Sequence, residues 1–230
     1  MSLAAARDLL LGTACVACAA PGWVLCPACD RALPRGSEIR MPAPTPPGLA
    51  PVRAVGAYEG ALKVMVNAHK ERQVLALAAP LGRLLATSAG DSVPTGPVVL
   101  VPVPSRRSVV RRRGHDPLMR ITRAAAAQLR QAGRDARVQQ VLRVVGRPLD
   151  QSGLGAGARL DNLSGTMAAR RSGSGLRVVV VDDVVTTGAT ALEAQRTLEE
   201  AGFTVTGISA VAATERWSLR RSLPIPDQGD

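Results

Sequence analysis

The sequence predicts an α/β protein in which a mostly parallel sheet is flanked by helices, with a small Cys-rich module at the N terminus. Three observations carry this expectation. Short Val-rich segments alternate with segments of helix length from residue 52 to residue 212, the pattern of strand–helix–strand crossovers. One of those segments, Val178–Val181, is four consecutive Val, as suits a strand covered on both faces. All four Cys fall between Cys15 and Cys29 as two C-x-x-C pairs, set apart from everything that follows.

The remaining elements follow in order. With 230 residues, 46% of them hydrophobic, the chain can bury one sizeable core with a small appendage. Leu9 to Cys29 carries no charge, yet Gly12, Pro21, Gly22 and Pro27 suit knuckled turns better than a span that must satisfy its backbone inside lipid. No signal peptide or membrane span is expected, nor a lipoprotein cleavage site, since Gly12 stands three before Cys15 where Leu belongs. The protein reads as cytoplasmic.

Cys15, Cys18, Cys26 and Cys29 can supply four thiolates to a structural zinc ion, with a short hairpin between the pairs. Two disulfides or free thiols are the alternatives, and a cytoplasmic chain disfavours the disulfides. A closed four-thiolate shell leaves no position for a catalytic water. Five Pro between Met41 and Pro51 make a stiff linker or an extended wrap. The expected organisation is therefore a Cys module over 1–40, a linker and first strand over 41–57, the main domain over 58–215 and a basic, Pro-rich tail over 216–230.

Within the main domain, strands are expected at Val52–Tyr58, Val98–Val103, Val138–Val144, Val178–Val181 and Thr204–Ala212. Helices are expected at Gly60–His69, Leu75–Ala89 (with Pro80 a possible break), Pro117–Ala132 and Ala189–Ala201. Ligands of such sheets sit at the carboxyl ends of the strands, which is where Asp182 and Asp183 fall.

Twenty-nine basic against eighteen acidic residues give a net charge of +11, which biases the surface toward nucleic acid, acidic membrane or phosphorylated ligands. Only four aromatic side chains are present (Trp23, Trp217, Tyr58, Phe203), too few to build a base-stacking groove.

After the Val178–Val181 strand come Asp182, Asp183 and then Thr186, Thr187, Gly188, Ala189 and Thr190. Hydroxyls and backbone amides at a helix N terminus form an anion cradle. Adjacent carboxylates repel each other unless they accept hydrogen bonds, as the 2- and 3-hydroxyls of a ribose can donate. A 5-phosphorylated ribose satisfies both halves. The competing interpretation is an ordinary helix cap with solvated acids, although one cap needs neither two acids nor three hydroxyls.

The stretch VVVVDDVVTTGAT resembles the phosphoribosyl pyrophosphate (PRPP) motif of type I phosphoribosyltransferases. The resemblance implies a fold of that type, with Asp182, Asp183, Val184, Thr186, Thr187, Gly188, Ala189 and Thr190 at the PRPP site and Mg2+ accompanying the ligand. After the strand VVLVPVP, Ser105, Arg106 and Arg107 precede three more Arg, placing five Arg in eight residues. Arg forks suit phosphate oxygens, while a solvated basic loop or a nucleic-acid patch is the plainer alternative.

The segment VPVPSRRSVVRRRGHDPL is similar to the corresponding region of the ComF family, late-competence proteins with a phosphoribosyltransferase-like domain, except that His115-Asp116-Pro117 stands where Phe-Asn-Gln is usual. That similarity implies pyrophosphate binding by Ser105, Arg106 and Arg107. RPLDQSGLGAGARLDNLSGTM matches the family's Arg-x-x-x-Gln and Arg-x-x-Asn-Leu, so Arg147, Gln151, Arg159 and Asn162 would form a flexible catalytic loop, with Arg147 and Arg159 joining the two acids in catalysis. Composition alone also fits an ordinary Gly-rich surface loop. YEGALKVMVNAHK resembles a segment ending in Lys and an aromatic, which would add Lys70 to the pyrophosphate group although Glu71 replaces the aromatic. A surface lysine is the alternative.

The functional expectation is transfer of a phosphoribosyl group from PRPP to an unidentified acceptor with release of pyrophosphate, and a homodimer is compatible with it. No amide-cleaving domain precedes the Cys pairs in this sequence, so ammonia from glutamine is not expected as a source within the chain. The rival is a non-enzymatic factor in DNA uptake that senses a nucleotide sugar or contacts DNA through its basic surface.

Overall fold

The computed structural model describes residues 13–145, 165–214 and the strand pair 217–218. Its centre is a six-stranded sheet in the order β1-β3-β9-β8-β4-β5. These are β1 (Glu38–Ile39), β3 (Val52–Ala57), β4 (Val98–Pro102), β5 (Ala136–Val138), β8 (Arg177–Val185) and β9 (Thr204–Ala213). All pairings are parallel except that of β1 with β3. Glu38–Ile39, in the segment assigned to the Cys module, thus extends the main sheet.

Helices cover both faces. The Val run shows why: Val179 and Val181 join the cluster of Met65, Leu81, Leu85 and Ile121, whereas Val178 and Val180 join that of Ala194, Leu198 and Phe203. The first cluster lies under α2 (Gly60–Glu71), α3 (Ala78–Ser92) and α5 (Pro117–Gln131), and the second under α6 (Ala189–Glu200). Period-two alternation in a strand buried on both sides makes every residue apolar. Helices α3 and α5 approach closely at Gly82, where an added Cβ would lie 2.4 Å from the Ala124 Cβ.

Several boundaries differ from the sequence expectation for identifiable reasons. Pro80 does not break the second helix: a 3-10 turn over Leu75–Leu77 leads directly into α3, and Pro80 stands in the first turn, where its missing N–H has no intrahelical partner to lose. The single strand expected at Val138–Val144 is two strands. The first, β5, stays in the main sheet, and β6 (Leu142–Val144) pairs antiparallel with β7 (Met167–Ala169) in a separate two-stranded sheet. The Arg run contains a helix, α4 (Arg107–Arg113), that buries none of its residues and so shows no apolar stripe. Asp116 caps α5 by accepting from the Met119 amide at 3.1 Å, with Pro117 in the first turn.

The N-terminal turns pack onto the domain through a short helix α1 (Pro27–Ala32), whose Asp30 pairs with Arg83 of α3. The Pro-rich linker begins with β2 (Met41–Pro42), which pairs antiparallel with β10 (Trp217–Ser218). It then crosses α6, where Gln195 accepts from the Ala50 amide and donates to the Gly48 carbonyl, both at 2.9 Å. Among the described residues no helix is long and apolar enough to cross a membrane.

Candidate functional site

Strand β8 is longer than its sequence suggested, and Asp182 and Asp183 lie inside it rather than beyond it. Its pairing with β9 continues through Val185, whereas its pairing with β4 ends at Pro102 and Val181. The two acids therefore occupy a strand that projects past its β4 neighbour, at the carboxyl edge of the sheet. Their carboxylates accept from backbone amides there: Asp183 N donates to Asp182 Oδ1 and Val184 N to Asp183 Oδ1, each at 2.8 Å.

Asp183 is 4% exposed and has a cation on it. Lys70, at the C-terminal end of α2, brings its Nζ to 3.0 Å from Asp183 Oδ1 and 2.8 Å from Oδ2. Desolvation pulls the Lys70 pKa down, but the attraction and hydrogen bond of Asp183 prevail, with help from Asp182, and raise it. Asp182 moves the other way: loss of water around it, then the neighbouring Asp183 charge, hold its carboxyl well above the usual range, with Lys70 opposing. Two adjacent acids thus lie beside one lysine, and burial together with the neighbouring charge makes Asp182 the harder of the two to ionise.

Thr186, Thr187 and Gly188 form the turn into α6, and Ala189 and Thr190 open that helix. Gly188 adopts the left-handed region at φ 77°, a conformation that favours glycine. The linker lies directly above it, since a Cβ at Gly188 would sit 3.1 Å from Leu49 Cδ2 and 3.2 Å from Pro42 Cγ. Thr187 Oγ1 accepts from the Ala189 amide at 3.4 Å, so one hydroxyl is engaged by the first amide of the helix, whose N-cap residue is Gly188. The hydroxyls of Thr186 and Thr190 have no partner among the described residues.

Ser105 and Arg106 follow β4, and Arg107 begins α4. They line a cleft of about 1000 Å³ that also includes Arg111, Gln140, Arg143 and Arg170. The cleft is not lined by the acids or by Lys70. Ser105 Oγ is 3.4 Å from Asp116 Oδ1. His115 is a hydrogen-bonded neighbour of the Arg run, with Nδ1 3.0 Å from the Arg113 carbonyl and its ring 6.0 Å from that of the fully buried His69. Arg147, Gln151, Arg159 and Asn162 lie outside the described residues.

The four Cys converge, with all Sγ atoms within 4.8 Å of one another. Cys18 and Cys26 Sγ are 3.5 Å apart, near the edge of about 3.8 Å of a tetrahedron drawn with zinc–sulfur bonds of about 2.3 Å. Burial works to raise the Cys15 thiol, but amides of Cys26, Cys18 and Ala17 directed at it bring its pKa down to about 6. Cys29, hydrogen-bonded to Cys18 and Cys26, is pushed up to about 12. Four soft donors in this spacing could hold a metal ion such as zinc.

Three features had no sequence signal: the Lys70–Asp183 pair, the linker over Gly188, and Arg143 and Arg170 on the cleft wall. Each depends on residues far apart in the chain.

No protein-family model matches the chain, and no curated protein does. Among solved structures it is similar to an adenine phosphoribosyltransferase, 14% identical over 81% of this chain and 89% of that one, with a TM-score of 0.39. The adenine phosphoribosyltransferase of Leishmania tarentolae is 12% identical over 82% and 88%, with a TM-score of 0.40. A hypoxanthine phosphoribosyl transferase of Trypanosoma cruzi is 15% identical over 67% and 71%, with a TM-score of 0.33.

Proposed function

We propose that this chain is a ComF-type phosphoribosyltransferase-like protein that binds PRPP with Mg2+ and transfers the phosphoribosyl group to an acceptor, releasing pyrophosphate. One observation carries the proposal: an acid pair on a projecting strand is followed by a glycine-turned loop that leads into a helix N terminus, with the Thr186 and Thr190 hydroxyls unpartnered among the described residues. Asp182 and Asp183 receive the ribose hydroxyls, and Thr186 to Thr190 receive the 5-phosphate.

Lys70 then has two positions. Without ligand it neutralises Asp183. When ribose hydroxyls take its place, its ammonium is freed toward the pyrophosphate, alongside Ser105, Arg106 and Arg107. Arg147 and Arg159 close over the site from the Gly-rich segment. The acids offer hard oxygen donors that fit Mg2+, which is held by few carboxylates together with substrate phosphates. Bound there, the ion would neutralise charge building on departing pyrophosphate. The four thiols hold a structural zinc that fixes the N-terminal turns.

Calorimetric titration with PRPP and Mg2+ tests this. Binding by the native chain that is lost in both Asp182→Asn and Asp183→Asn, with pyrophosphate released when an acceptor is found in a screen, is the expected result. Equal binding by the native chain and both variants would remove the acids from the site.

A further inference from the structure

The last turn of α2 carries three consecutive side chains that reach three different elements. Lys70 holds Asp183 on β8, Glu71 accepts from Arg113 of α4 at 2.6 Å, and His69 lies against the Pro117 carbonyl at the start of α5. The position of this turn therefore bears on the acid pair and on the Arg run together. At its centre is His69, which is 0% exposed, with Nδ1 3.2 Å from the Val74 carbonyl and Nε2 3.2 Å from that of Pro117. The Val74 amide donates to the Ala68 carbonyl at 3.1 Å, which folds the departing chain back over the turn.

His115 packs edge to face on His69, with ring centroids 6.0 Å apart and planes at 66°. Its Nδ1 is 3.0 Å from the Arg113 carbonyl, while its Nε2 is buried without a partner among the described residues. A neutral imidazole has one N–H, so His69 can donate to Val74 or to Pro117 but not to both, and the other carbonyl faces a bare nitrogen. A second proton would serve both carbonyls, yet it places a charge where water does not reach. Burial above all, with the charges of His115 and Arg120, outweighs the two carbonyls and lowers the His69 pKa.

The other charged groups on these elements are engaged or solvated. Lys70 and Asp183 hold each other, as do Glu71 and Arg113, and Asp116 accepts from the Met119 amide. On α3, Arg83 is held by Asp30 and Asp91 by Ser37, and the remaining arginines of α4 and α5 are exposed. No free carboxylate among these groups is left to balance a charged His69.

We infer that His69 and His115 form a proton-sensitive joint: while both rings are neutral it locks the last turn of α2 against the start of α5, and one added proton unlocks it, moving Lys70 and Glu71 together. Two basic rings in contact admit one proton far more readily than two, so the joint has two states over the mildly acid range. Protonation carries no penalty above the ordinary histidine value of about 6.5, and the penalty grows as pH falls below it toward the folded value. The joint does not depend on the PRPP proposal; its effect on ligand binding rests on that reading.

The chain has two histidines, so both ring signals in a proton–carbon NMR spectrum belong to the joint. Titration of the full chain should show His69 taking its proton below about pH 6.5, with amide exchange at residues 69–71 and 113–116 rising in step. His69→Gln keeps a donor and an acceptor but does not titrate, so its exchange at these residues should stay flat. His115→Phe keeps the ring contact, removes one charge and should move the His69 titration upward. Circular dichroism checks each fold, and the His115→Phe shift tests the joint even if His69→Gln does not fold. Calorimetric titration with PRPP and Mg2+ at about pH 7.5 and about pH 5.5 reads the consequence for the ligand. Affinity of the native chain should fall about tenfold more than that of His69→Gln, the linkage of one pH unit, and ionisation of the ligand itself is common to both. The inference is overturned if His69 protonates at or above about 6.5, or if the exchange ignores it or persists in His69→Gln. Equal pH dependence of PRPP binding in the two chains also overturns it and leaves the proposed function standing. Failure to bind PRPP at either pH, with exchange still following His69, would contradict the proposed function and leave the joint standing.

Discussion

Replacing Lys70 with Met removes the cation from Asp183 while keeping the length of the side chain. The Asp183 side chain is 5% exposed and that of Lys70 31%, so the carboxylate loses its counter-ion where water cannot fully replace it. Removing one partner of a buried pair costs about 3–5 kcal/mol, and the partial exposure of Lys70 places this case near the lower end, about 3 kcal/mol. For a domain of this size each kcal/mol moves Tm by about 2–4 °C, giving a drop of roughly 6–12 °C. Scanning calorimetry of the two proteins at neutral pH measures it. Because the Lys70 pKa is raised in the fold, the contribution of the pair is complete below the ordinary lysine value of about 10.4. It is lost as pH rises through the higher folded value, so on the alkaline side the difference between the proteins should close only in strong alkali. Adding Asp183→Asn to Lys70→Met should recover most of the loss, since no buried charge is then left alone. A Lys70→Met protein melting within about 1 °C of the native chain would refute the buried-pair account.

Asp182 predicts the opposite sign. Its pKa is raised, so the native fold loses stability as pH climbs from the ordinary Asp value of about 3.9 toward the folded value. Asp182→Asn should therefore be more stable than the native protein at pH 7 and equal to it below about pH 4, which urea titrations at the two pH values can measure. Gly82→Ala would bring a Cβ to 2.4 Å from Ala124 Cβ and 3.0 Å from the Ala124 backbone; it should cost about 1–3 kcal/mol by overpacking, read from the urea midpoint. Gly188→Ala strains a left-handed residue by about 1–2 kcal/mol and presses on Leu49 and Pro42; sugar-phosphate binding should weaken more than overall stability, comparing calorimetric titration with Tm. Metal analysis should find one zinc per chain, lost in Cys29→Ser, and a chelator should increase proteolysis within residues 13–32 without unfolding the sheet, seen by circular dichroism.

The sheet was legible where composition is one-sided. Four Val in β8 suit a doubly covered strand, and the Ala-rich run of α5 marks a helix. β5 and β6 were run together because the apolar residues of VQQVLRV continue across Gln139 and Gln140, while the departure of the chain from the sheet is set by partners elsewhere. The Arg run hid α4, since a helix with no buried side chain leaves no period to read. At the site, the acids, the Thr loop and the Cys pairs could be found because each is local. Lys70 could not be matched to its partner: 113 residues separate it from Asp183, and a lysine ending a helix looks the same whether solvated or paired. The linker over Gly188 was invisible for a similar reason, since proline spacing specifies stiffness and not destination.

The central claim is that the acid pair and the Thr186–Thr190 loop together grip a phosphorylated pentose. A crystal structure of the chain with PRPP and Mg2+ tests it most directly. It should show ribose hydroxyls on Asp182 and Asp183, the 5-phosphate against the Thr loop, and the Lys70 ammonium withdrawn from Asp183. Ligand bound elsewhere, with Lys70 still on Asp183 and no phosphate at the loop, would contradict it.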